Sequence, residues 1–131
     1  MSANRIPTYP DAPKCWQVQI STANTARDGS GTIGTLVTAG SNGTRITSLA
    51  FKATSTTAAG LINIFLHDGS NYRFYSSIAV SAVGTVNATT DSEDGTWAAP
   101  GNGLDLPSGW SLRVATTIAQ ELNVFAFGGD F

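Results

Sequence analysis

Six short dipeptides ending in glycine punctuate this chain: Asp28-Gly29, Ser30-Gly31, Asn42-Gly43, Asp68-Gly69, Asn102-Gly103 and Ser108-Gly109. Each joins a polar residue that favours turns to a glycine free to take a positive φ, which tight turns require. The stretches between them are short and rich in Val, Ile, Thr and aromatic residues, so they read as strands. Lys and Glu, which usually solvate helix surfaces, number four in total, and no segment keeps a 3.6-residue apolar period.

The pattern predicts eight strands, over residues 15–22, 32–39, 44–54, 60–67, 72–80, 83–90, 110–118 and 121–128. Alternation assigns faces. Leu49, Phe51 and Ala53 share one face, as do Ile62, Ile64 and Leu66, then Trp110, Leu112 and Val114, then Leu122, Val124 and Ala126. The hairpin around Asp68-Gly69-Ser70-Asn71 is the firmest local feature. Phe65, Phe125 and Phe127 fall on the opposite faces and are expected to cover an edge or a contact surface. The fold class is therefore all-β: an antiparallel two-sheet sandwich, jelly-roll-like, built from residues 15–131. Residues 1–14, with Pro7, Pro10 and Pro13, read as an extended N-terminal arm. Residues 91–109 form the longest strand-poor stretch and are a candidate contact site.

Charge narrows the function. Only 12% of residues are charged, against about 25% in an average soluble domain. Ser and Thr make up 30 of the 131 residues, so uncharged polar groups stand where charges usually do. Two causes give this pattern: Thr and Ser suit the pleated surface of a β-sandwich, and a surface covered by neighbouring protein loses charge, which implies an oligomer or a lattice. The net charge of −2 and the scattered basic residues argue against nucleic acid as a partner. The short apolar runs argue against a membrane span, and the N-terminal sequence does not resemble a signal peptide.

Signals for chemistry are weak. Cys15 is the lone cysteine and reads as a small buried hydrophobe beside Trp16. His67 is the lone histidine, and neighbouring Asp68 is poorly placed to orient it, because consecutive strand residues face opposite ways. Asp91-Ser92-Glu93-Asp94-Gly95 lacks the ligand spacing of a calcium loop. No catalytic, metal or cofactor site is expected. Among the aromatic residues Trp16, Trp97, Trp110, Tyr72 and Tyr75, Trp97 is the best placed for stacking on a ligand, because it falls in the strand-poor stretch. Trp110 continues a strand alternation and reads as core.

Four stretches carry a resemblance: Thr22-Ala23-Asn24-Thr25-Ala26-Arg27-Asp28-Gly29-Ser30-Gly31, His67-Asp68-Gly69, Leu106-Pro107-Ser108-Gly109-Trp110-Ser111-Leu112-Arg113-Val114, and Gly128-Gly129-Asp130-Phe131. Over residues 15–131 the chain resembles small β-sandwich head decoration, or cement, proteins of tailed bacteriophages. The resemblance implies a homotrimer bound to the major capsid protein where capsid subunits meet. It implies a virion surface location after assembly in the host bacterial cytoplasm, and it brings no chemical site with it. Arg5, Ile6 and Tyr9 of the arm are then expected to touch the capsid. Trp97, Phe125 and Phe127 are expected to meet sister subunits or a ligand. The alternative is a phage tail or fibre module that binds a host surface glycan.

Overall fold

The computed structural model describes residues 10–101 and 103–131, and every structural statement below concerns those residues. They form nine strands and no helix. These are β1 (Ala12–Ile20), β2 (Gly34–Thr38), β3 (Thr44–Ala53), β4 (Gly60–His67), β5 (Tyr72–Val80), β6 (Asp94–Ala98), β7 (Leu104–Leu106), β8 (Ser111–Thr116) and β9 (Leu122–Asp130). One sheet runs β1-β9-β3-β6, with β7 also paired to β3; the other runs β2-β8-β4-β5. All named strand pairs are antiparallel.

The pairing is nested. β1 joins β9, β2 joins β8, β3 joins β6, and β4 joins β5. The chain is thus one long hairpin rolled over into two sheets, which is the jelly roll expected from the sequence. Between the sheets lie Ile46, Leu49, Phe51, Ile62, Val114 and Val124, all fully or almost fully buried. At about 25 cal/mol per Å² of apolar surface removed from water, this interior is the main favourable contribution to folding.

The turn signals hold. All six glycines of the opening dipeptides, from Gly29 to Gly109, adopt positive φ. The β4–β5 hairpin closes where expected, with the Asp68 amide donating to the Asn71 carbonyl at 3.3 Å.

Three sequence expectations are corrected. Residues 83–90 are not a strand: only Val83 pairs, in an isolated bridge to Thr57. The Asn87 side chain accepts from the backbone amides of Thr89 and Thr90, which turns the chain instead. Conversely, β6 and β7 lie inside the stretch read as strand-poor. They occupy the same edge of β3 in succession, β6 opposite Ser48–Lys52 and β7 opposite Thr44–Ile46. An edge strand needs only one packed face, so the charged and glycine residues of β6 cost it little. Finally, β1 starts at Ala12, so Ala12, Pro13 and Lys14 belong to the sheet rather than to the arm. Pro13 is accommodated because β1 is an edge strand.

Candidate contact surfaces

The two sheets differ in what lies over their outer faces. On the β2-β8-β4-β5 sheet, the β1–β2 connection covers the face with the chain's own residues. Ala23 bridges Thr116, and the Asn24 amide donates to the Thr116 carbonyl at 2.7 Å, beside β8. The chain then crosses to β5, where the Arg27 guanidinium lies 4.7 Å from the centre of the Phe74 ring. Gly29, at φ 94°, sits so close to Tyr72 that a Cβ would come within 2.5 Å of that side chain. Asn24 closes the neck of this flap. Its Nδ2 donates to the carbonyls of Ser30 and Thr32 at 2.9 and 3.0 Å, and its Oδ1 accepts from the Ala26 amide.

Between β8 and β5 the flap passes over β4, whose outward residues are buried as a result. Phe65 has no exposed surface and packs edge-on against Tyr72 and Phe74. The sequence placed Phe65 at a surface needing cover, and the cover is the flap. Asn63 is 1% exposed, and its carboxamide has no hydrogen-bond partner among the described residues.

The outer face of the β1-β9-β3-β6 sheet has no such cover among the described residues. Register lays its residues out in rows across the four strands. One row is Cys15, Phe127, Ser48 and Ala98; the next is Gln17, Phe125, Ala50 and Thr96; the third is Gln19, Asn123, Lys52 and Asp94. Phe127 is 40% exposed and Phe125 is half-buried. Two shallow grooves, of about 400 and 420 Å³, flank Phe125: one over Ala50 and Thr96, the other over Gln17 and Asn123. The small residues Ala50 and Gly95 leave the relief of the first groove. Charge lies at the two ends of the face, in ion pairs: Lys52 with Asp94 at 3.6 Å and with Asp91 at 2.7 Å in the third row, and Arg45 with Asp105 at 2.8 Å in the row of Pro13 and Gly129 beyond Phe127.

That ion pair disposes of the acidic stretch as well. Hydrogen bonding to Asp91 raises the pKa of Lys52, and the same bond lowers that of Asp91. Glu93 accepts from the amides of Ser81 and Asp94. The acidic side chains thus meet an ammonium and backbone donors, and no group of three or more metal-ligating side chains occurs among the described residues. At the β4–β5 turn, Asp68 accepts from the amides of Asn71 and Ser70, which lowers its pKa. His67 packs on Tyr72, with Nδ1 accepting from the Gly69 amide.

The expected site residues part company here. Phe125 and Phe127 do share a face. Trp97 does not join them: it lies on β6, opposite Leu49, and packs against the core. Its indole N–H donates to Ser76 Oγ of the other sheet at 3.2 Å, and its ring meets Tyr75 edge-on. It ties the sheets together from a strand, so its expected place in a loop is corrected. Cys15 is also corrected: it is exposed, beside Phe127, rather than buried. An edge strand whose outer face meets no second layer leaves that side chain in solvent. Trp110 is half-buried against the core, as expected. Arg5, Ile6 and Tyr9 lie outside the described residues. Sequence reasoning missed Arg27 and Arg113 as part of a site, because their ring partners come from strands distant in sequence.

No protein-family model matches the chain, and no curated protein matches it either. Among solved structures, a chain of the "Cyanophage Pam1 capsid asymmetric unit" is similar at 16% identity and a TM-score of 0.45, over 98% of this chain and 92% of that one. A likeness this slight adds nothing to the fold derived above. No helix of the structure is long and apolar enough to cross a membrane.

Proposed function

We propose that this chain is a structural protein of a phage particle, a head decoration protein that binds the capsid surface at subunit junctions and stabilises the shell. The observation that carries the reading is the outer face of the β1-β9-β3-β6 sheet, uncovered among the described residues, whose central rows around Phe125 and Phe127 carry no charge and whose charges at either end are already paired. Burying such a face against protein costs little desolvation, since few charges lose water. The sequence resemblance to decoration proteins supports the same reading. In it the protein works as a homotrimer on the major capsid protein, with three linked contacts binding more tightly than one. The chain works by contact and is not an enzyme.

The test is co-sedimentation with phage heads lacking decoration, alongside light scattering of the free protein. Wild type should bind saturably, and Phe127→Asp should lose binding at least about tenfold, because a buried unpaired carboxylate costs several kcal/mol. Unchanged binding by Phe127→Asp would remove this face from the proposal. Failure of wild type to bind any such head would remove the decoration role.

A further inference from the structure

The cations among the described residues fall into two groups. Lys14, Arg45 and Lys52 each face a carboxylate: Asp130 at 3.9 Å, Asp105 at 2.8 Å, and Asp91 at 2.7 Å. Arg27, Arg73 and Arg113 have no carboxylate within ion-pair distance among the described residues. Arg27 and Arg113 are held instead by the aromatic pair Tyr72 and Phe74 on β5. Arg27 stacks on Phe74 at 4.7 Å. Arg113 lies 5.3 Å from the Tyr72 ring centre, donates to Tyr72 Oη at 2.7 Å, and donates to Ser111 Oγ at 2.9 Å. Arg73 alternates to the other face of β5, donates to the Tyr72 carbonyl at 3.0 Å, and, after the Asn71 and Ser70 amides, its charge helps lower the pKa of Asp68, so it stands apart from the other two.

The two carboxylates nearest in sequence are turned to other donors. Asp28 accepts from the amide and hydroxyl of Ser30, and Asp68 accepts from the Ser70 and Asn71 amides. Stacking fixes the plane of a guanidinium while leaving its in-plane N–H edge open, the geometry that grips a carboxylate with two parallel bonds. Arg113 commits two of its five N–H groups, both to neutral oxygens.

We propose that the arginine-bearing edge of the flap on the β2-β8-β4-β5 sheet, at Arg27 and Arg113, binds an acidic, extended segment of a partner protein, with carboxylates at alternate positions. The spacing argues for that form. Tyr72 and Phe74 lie two residues apart on one strand face, roughly 7 Å. Same-face side chains of an extended peptide repeat at that distance, so successive carboxylates meet Arg113 and Arg27 in turn. Charge complementarity selects the partner: the two guanidinium groups of Arg27 and Arg113, neither in an ion pair among the described residues, on a chain otherwise acidic, favour an anionic occupant. This surface lies on the sheet opposite the uncovered face, so the inference stands apart from the mode of head attachment.

The probe is a capped seven-residue peptide with glutamate at the second, fourth and sixth positions and serine between. A matched peptide carries glutamine in place of glutamate. Titration by calorimetry at low salt should show binding of the glutamate peptide alone, weakening as salt shortens the screening length. Arg27→Gln should weaken it about three- to tenfold with the thermal midpoint unchanged, since Arg27 is exposed and carries no hydrogen bond. Arg113→Lys, which keeps the charge and loses the fork, should weaken it by a similar factor. Equal binding of the two peptides, no binding at low salt, or indifference to Arg27→Gln overturns the proposal. Capture of an acidic sugar such as sialyllactose with no binding of the peptide also overturns it. Phe127→Asp, which leaves this face intact, should bind the glutamate peptide like wild type, so failure here is separable from failure of head binding.

Discussion

At the scale of single residues, Asn24 shows how one side chain shapes a surface. Its carboxamide makes three hydrogen bonds that draw the two ends of the flap together. Asn24→Ala should cost about 1–3 kcal/mol in denaturant unfolding, because it leaves partly buried carbonyls without donors. Limited proteolysis should then cut within residues 25–31 of the variant and spare the wild type. The Lys52–Asp91 pair makes a different kind of prediction. Asp91 is shifted down, so its contribution is present above the ordinary carboxylate value of about 3.9 and fades as pH falls through its lowered value. Lys52 is shifted up, so its contribution is present below about 10.4 and fades as pH rises through its raised value. The difference in thermal midpoint between wild type and Lys52→Met should therefore be flat from about pH 5 to pH 10 and shrink toward about pH 2. A difference that persists unchanged at the acid end would show that the pair contributes nothing.

At the scale of elements, β9 is the hinge of the β1 sheet, paired to β1 on one side and β3 on the other. Its paired glycines let both neighbours come close. A Cβ on Gly128 would overlap the Arg45 carbonyl, and one on Gly129 would lie 2.7 Å from the Ala12 carbonyl. Gly128→Ala should destabilise the protein by about 1–3 kcal/mol, because the obstacle is backbone that cannot rotate away. A variant as stable as wild type would show that the β3 bulge between Ile46 and Ser48 absorbs the added atom. β6 follows the same logic in reverse. Gly95 faces Phe51, where a Cβ would approach Cε1 to 2.6 Å, so a residue that weakens a strand in the abstract is what fits here.

At the scale of the whole molecule, the sandwich offers two unlike outer faces. One is sealed by the flap and edged with arginines; the other is flat, neutral and centred on Phe125 and Phe127. If the second face serves contact rather than stability, Phe127→Asp should change the unfolding free energy of the isolated protein by no more than about 1 kcal/mol, since Phe127 is already 40% exposed. A larger loss, read by denaturant titration, would mean that the ring contributes to folding itself. Two faces with different chemistry also suit a molecule that meets two surfaces at once, as a cap between subunits must.

The sequence by itself determined the class of fold. Turn glycines and two-residue alternation are local signals, written by sterics within a few residues, and they located the β4–β5 hairpin, the inward residues of β3, β4, β8 and β9, and Phe125 and Phe127 as outliers. Only the tertiary structure decided which outward residues stay outward. Phe65 and Phe127 carry the same local signature, yet one lies beneath the flap and the other in solvent. Trp97 has turn-like neighbours and still packs inside, because β3 offers an edge to pair with. Such outcomes depend on what distant segments bring to a face, and burial is settled by that meeting rather than by any short stretch of chain.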